Sequence, residues 1–415
     1  MTVDALDLIS SDRYGERGAP FSEWAELRRS PLRYMEPEGY ESFWAITRHA
    51  DIIAVSSDPE TFCNGDGIVV LNEHQLRMEA EGTSPIRQMK TIIEMDPPDH
   101  RRFRKVASGF FTPRGIERLD TIVRTSAQQV IDGLGREGEG DLVALVAQRH
   151  PLRVLSTILG IEPEQEERLL ELTQQLFAGD DPDLRREADS RQQATEELGM
   201  EFFTMFNAII EDRRANPRDD LATMLATATL DDGEPLGMLE TLGYYLIVFT
   251  AGHDTTRHAL TGALDAFMEH PDELARLRDD RTLLRTAVEE VVRWSAPVNY
   301  MKRTATRDVE FGGAQIREGD RLALFYASAN RDETVFDDPD RFDIGRDPNR
   351  HLGFGWAEHY CLGSHLARAS ITALLDQLAD RVEVLERAGD PSQVASAFVV
   401  GRKTLPARYV IRPAS

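Results

Sequence analysis

From about residue 99 to 285, apolar positions recur at three- and four-residue spacing, and that period predicts helices. The segment 113–134, PRGIERLDTIVRTSAQQVIDGL, carries it. So does 191–217, RQQATEELGMEFFTMFNAIIEDRRANP, which stops at Pro217. The longest such run is 238–271, MLETLGYYLIVFTAGHDTTRHALTGALDAFMEHP, which stops at Pro271. Its middle is apolar on most faces, and a helix apolar all round is a buried one. Shorter alternating runs flank this helical body. The stretch 40–59, YESFWAITRHADIIAVSSDP, reads as a short β-hairpin running into a helix, and 305–332 carries strand signals punctuated by glycine. A further helix is expected over SHLARASITALLDQLADRV, 364–382, and strand pairs over the tail from 396. The expected fold is mainly α with minor β, without internal repeat or low-complexity linker. It forms a single domain over 1–415, β-rich over about 40–95, with its helical core at about 96–295 and 360–385.

Composition narrows the classes. The chain has 415 residues and a formal net charge of -24, an acidic balance that argues against nucleic-acid binding. Its only cysteines, Cys63 and Cys361, allow at most one bridge, which fits a reducing, cytoplasmic setting. The start, MTVDALDLISSDRYGERGAP, has no basic region or long apolar run, so no secretory signal is expected. The most apolar run, YYLIVFTA at 244–251, is far short of the roughly 20 residues that span a bilayer. No membrane anchor is expected.

Candidate chemistry centres on 351–367, HLGFGWAEHYCLGSHLA. A helix is expected just after Cys361, so the sulfur lies near a positive helix end. N–H groups of a glycine-rich turn can point at it, and both effects favour thiolate. Phe354 can shield one side, Gly355 and Gly363 allow close backbone approach, and His359 can face the same way as the sulfur. No second cysteine lies nearby, which argues against a zinc site or an iron–sulfur cluster. A single thiolate suits haem iron. On the residues alone, a buried structural cysteine in a helix-capping turn stays open.

The surrounding pattern resembles the haem-binding signature of the cytochrome P450 superfamily, Phe-Gly-x-Gly-x-His/Arg-x-Cys-x-Gly. Phe354, Gly355, His359, Cys361 and Gly363 match it. Ala357 stands where the pattern has glycine, and the expectation is that the loop accommodates it at ordinary backbone angles. Further motifs follow in the superfamily's order over roughly 40–400. In EEVVRW, Glu290 and Arg293 lie three apart on one helix face. The resemblance pairs them with Arg341 of DPDRF, as a set that fixes the core beneath the cysteine loop. In AGHDTT, threonine hydroxyls can bond back one turn and bend the helix. The resemblance makes Asp254 and Thr255 the acid–alcohol pair that handles protons where dioxygen is reduced. His100 and Arg104, four apart in DPPDHRRFRK, would join Arg303 and His359 as donors to haem propionates.

What the resemblance implies is a helical haem-sandwiching fold with small β-sheets, holding haem b through an axial thiolate from Cys361. The activity would be monooxygenation, one oxygen atom of O2 entering a C–H bond of a small apolar substrate such as a terpenoid, steroid or other lipid-like molecule. Electrons would come from a ferredoxin and its NAD(P)H-dependent reductase, docking on a basic face of Arg101, Arg102, Lys105, Arg346 and Arg350. Pocket walls are expected from 63–95, 170–205, Tyr245, Val248, Phe249, Ala251, Val298, Phe398 and Val399. The alternatives are a peroxygenase or nitric oxide reductase-type member, which usually lack the acid–alcohol pair, and a haem-binding sensor or scaffold.

Overall fold

A computed structural model describes residues 3–82, 89 and 91–413. The apolar run 238–271 forms one helix, Met238–Glu269, ended at His270 before Pro271. It is buried on nearly every side. Leu242, Tyr245 and Phe249 pack into one core with Leu155, Phe202 and Phe206. Ala263, Leu264 and Phe267 pack into a second with Val291, Leu374 and Leu378. This helix is therefore the spine that joins two cores, as its all-round apolar pattern requires. Arg191–Ala215 and Ser364–Arg381 are the other long helices expected. The 113–134 segment divides into Pro113–Glu117 and Asp120–Asp132, with Thr112 capping the first piece through Gly115 N–H.

The largest sheet runs, edge to edge, Arg33–Met35, Phe43–Ile46, Arg321–Phe325, Tyr300–Ala305 and Phe62–Cys63. Phe43–Ile46 pairs antiparallel with Arg33–Met35 and parallel with Arg321–Phe325. The hairpin expected within 40–59 thus takes its first strand from upstream, and only its second strand and the helix His49–Ser56 lie in that stretch. The tail strands do not pair with each other. Arg402–Thr404 joins Ser392–Gln393, while Pro406–Ile411 lies between Glu137–Asp141 and Val382–Arg387. Tyr300–Ala305 places Met301 and Arg303 at the cavity that spine-helix residues also line, and residues of Leu284–Ser295 and Ser364–Arg381 pack with Phe354 of the cysteine loop. Among the described residues, no helix is long and apolar enough to cross a membrane.

Candidate active site

The cysteine loop is a tight reversal. Gly355, at φ +71°, donates its N–H to Leu352 O at 2.8 Å. A 3-10 turn over Ala357–His359 follows, Tyr360 N–H reaches Ala357 O at 3.0 Å, and Cys361 N–H returns to Phe354 O at 2.8 Å. That closure needs a left-handed residue at 357, and Ala357 adopts φ +55°. The expectation of ordinary angles is therefore corrected: this alanine sits in a conformation that glycine adopts without penalty.

Cys361 opens onto a cavity between this loop and the spine helix. Phe354, Gly355, His359 and Gly363 line its floor, and His100, Arg104 and Arg303 one edge. Val248, Ala251, Thr255, Val298 and Met301 contribute to the rest of its wall. Burial pushes the Cys361 thiol up, while the Gly363 N–H, Arg104 and Arg368 pull it down. The net direction for the free thiol is upward; bound iron would favour the thiolate instead.

At the edge, the His100 and His359 rings lie 4.2 Å apart between centroids, tilted by 35°. His100 Nδ1 and His359 Nε2 are buried and, among the described residues, have no hydrogen-bond partner. Burial lowers the pKa of both, helped at His100 by Arg104 and at His359 by Arg303; His359 falls to about 2. Arg104 donates to Tyr360 O at 2.6 Å and Arg303 to Lys302 O at 2.8 Å, each with further N–H groups to offer. Two orphaned ring nitrogens beside two guanidinium groups suit an anionic ligand edge, since unpaired buried polar atoms are costly. Together with one enclosed thiol, that donor set fits a haem with its carboxylates at this edge.

On the spine helix the hydroxyls bond back as the sequence suggests: Thr255 Oγ1 to Ala251 O at 2.6 Å, and Thr256 Oγ1 to Gly252 O at 3.0 Å. Both threonines line the cavity. Asp254 does not. Fully buried, it accepts from Arg257 Nε at 2.8 Å and lies 3.6 Å from His258 Nε2. Burial alone would raise its pKa; Arg257, His258 and His253 outweigh that and hold it below the usual carboxylate range. The helix turns about 100° per residue, so consecutive side chains face different surroundings.

Glu290 and Arg293 form a buried bidentate pair at 2.7 and 2.8 Å. The second arginine on Glu290 is Arg346, at 3.2 and 3.3 Å, not Arg341. Arg341 contributes only its carbonyl, which accepts from both Arg293 and Arg346, and its own side chain is turned to solvent. Arg346 is thereby removed from the expected basic face. Arg101 pairs with Glu358 at 2.8 Å, Arg102 with Asp232, and Lys105 with Asp231 at 2.7 Å, while Arg350 is exposed.

Of the expected pocket walls, Val248, Ala251 and Val298 line the cavity. Tyr245 instead donates to Ala222 O at 2.6 Å, and Phe249 packs on Phe206 and His253. Phe398 packs on Tyr300 and Phe177, and Val399 bridges Val298 behind the wall. From 63–95, Asn64, Ile92 and Ile93 reach the cavity, with 83–88 and 90 outside the described residues; none of the described residues of 170–205 does. Met301 is a cavity residue the sequence reading misses. It lies inside the strand Tyr300–Ala305, and no local periodicity marks it.

Residues 75–409 match the family described as Cytochrome P450. The chain is 38% identical to cytochrome P450-terp of a Pseudomonas species, over 98% of this chain and 97% of that protein. It is 35% identical to linalool 8-monooxygenase of Pseudomonas putida, over 97% of this chain and 98% of that one. The crystal structure of CYP108D1 from Novosphingobium aromaticivorans matches with a TM-score of 0.87 at 37% identity, covering 98% of each chain. The chain belongs to the cytochrome P450 family, whose members are haem-thiolate proteins, and it is an oxidoreductase of the monooxygenase type.

Proposed function

We propose that this enzyme hydroxylates a small apolar terpenoid, with Cys361 as axial ligand of haem b and a ferredoxin as electron donor. The observation that carries the reading is the apolar wall of Val248, Ala251, Val298 and Met301 in one cavity with the Cys361 thiol and Thr255. The name of one relative, a linalool 8-monooxygenase, supports the terpenoid class, while others are named for steroid and branched-lipid hydroxylation.

Bound haem would supply dioxygen reduction and C–H oxidation. This chain's residues do the rest. His100, Arg104, Arg303 and His359 would hold the propionates, whose negative charge would favour the protonated, donating form of each imidazole. The apolar wall excludes water and holds the substrate by shape, because it offers few polar groups away from the arginine edge. Thr255 Oγ1 holds a proton at the cavity surface and passes it inward. Asp254 can resupply it only after releasing Arg257 and taking up a proton from solvent, because the buried ion pair holds it ionised. Arg350, with the exposed aromatics Trp356 and Tyr360, supports a ferredoxin docking face around the cysteine loop.

The test is ferredoxin-supported turnover of the haem-loaded enzyme with linalool, other monoterpenoids and a steroid. A substrate-induced spin shift and a hydroxylated monoterpenoid are expected. Thr255→Ala should raise peroxide released per NAD(P)H severalfold, and Arg350→Glu should slow reduction. A shift with the steroid alone would overturn the substrate class. Unchanged coupling would reject the role of Thr255, and unchanged reduction the docking face.

A further inference from the structure

Glu289 stands one residue before the core carboxylate Glu290, and the mechanism above gives it no task. It points elsewhere. Its carboxylate takes both ends of Arg368, Nε to Oε1 at 2.7 Å and Nη2 to Oε2 at 2.9 Å. His351 adds a third bond, its Nε2 lying 3.0 Å from Glu289 Oε2. The tautomer follows from the other ring nitrogen: Nδ1 accepts from Gly353 N–H at 3.1 Å, so Nε2 carries the hydrogen and donates. The guanidinium is thus fixed in plane and orientation, as a bidentate carboxylate pair requires.

What it is fixed against is Phe354. The Arg368 guanidinium carbon lies 4.4 Å from the centre of that ring, within cation–π range. Phe354 in turn lines the cavity beside Cys361, and its carbonyl accepts the Cys361 N–H. The ring that touches this permanent positive charge thus also lines the cavity with the sulfur, and the Arg368 side chain, 28% exposed, is only partly screened by water. Arg368 is one of two arginines whose charge is felt at Cys361. Its remaining arm reaches Tyr360 Oη at 3.2 Å, on the exposed side of the loop.

We infer that Arg368, clamped by Glu289 and His351 against Phe354, is a positioning residue that sets the reduction potential of the haem held by Cys361. This rests on the ligand assignment proposed above. A positive charge next to the thiolate favours the reduced state of the site, which carries one more negative charge. Glu289 opposes it and holds it in place.

The experiment is spectroelectrochemical titration of substrate-free holoenzyme, for the wild type, Arg368→Gln, Arg368→Lys and Glu289→Gln. Arg368→Gln should shift the reduction equilibrium about tenfold towards ferric, which is 59 mV for one electron. Arg368→Lys keeps the charge and should recover most of that shift. Glu289→Gln should move the equilibrium at least threefold the other way, because Arg368 loses its counter-charge. General loosening of the loop would move both neutral variants in one direction, so shifts of the same sign, or none, overturn the inference. Should Arg368→Gln fail to fold, the sign of the Glu289→Gln shift decides alone. The ferrous–CO spectrum of the same wild-type sample checks the ligand separately. A thiolate-type band with unmoved potentials refutes the role of Arg368 only; its absence refutes the assignment of Cys361 and the inference with it.

Discussion

Ala357→Gly should stabilise the cysteine loop. Ala357 is exposed, so its methyl group contributes little packing that would be lost. It sits at φ +55°, where an L-residue with a Cβ is disfavoured by about 1–2 kcal/mol. Glycine removes that cost but adds about 0.4–1 kcal/mol of chain entropy to the unfolded loop. The midpoints leave a net gain of about 0.8 kcal/mol, or about fourfold in a local opening equilibrium. The amides of Tyr360 and Cys361 report on it, because they close the loop onto Ala357 O and Phe354 O. Hydrogen exchange at these two amides should slow by that factor in Ala357→Gly. It should quicken in Ala357→Val, where a β-branched residue meets the same angle. Exchange that is unchanged or faster in the glycine variant would refute the claim that the backbone here is strained.

Arg346→Ala should cost about 1.5–3 kcal/mol through its lost bonds to Glu290, whereas Arg341→Ala should stay within about 0.5 kcal/mol because its carbonyl remains. Urea midpoints at constant m-value measure both, and the reverse order would return Arg341 to the cluster. Acid should weaken the fold well above the carboxylate range. His150 and His258 are buried and neutral, with pKa lowered from 6.5 to about 4 and about 3, by burial above all. The unfolded chain binds protons that these histidines refuse, so their contribution is complete above pH 6.5 and is lost as pH falls towards those values. Each should add a slope of about 1.4 kcal/mol per pH unit between pH 6 and 5. His150→Asn should reduce the slope of urea-measured stability by that amount, and a flat wild-type profile would contradict the sign.

What the sequence makes legible is what depends on order and period. The all-round apolar run 238–271 requires a buried spine, and the glycines around Cys361 require a tight loop at its foot. Which way a side chain turns within a short polar stretch is a different matter. Arg341 and Arg346 lie in one loop, both within reach of Glu290 by spacing, and only the fold of that loop decides which guanidinium enters and which carbonyl does. Asp254 and Thr255 are neighbours, yet one faces Arg257 and the other the cavity. Tyr245 and Phe249 share the spine helix with Val248 but answer to Ala222 and Phe206 instead. Glu289 and Glu290 make the same point most directly. A step of about 100° along one helix sends the first carboxylate to Arg368 against Phe354 and the second to Arg293 in the core. Identical residue types one position apart thus acquire different chemistry from packing alone, and substituting each should give different readouts: Glu290 in stability, Glu289 in potential.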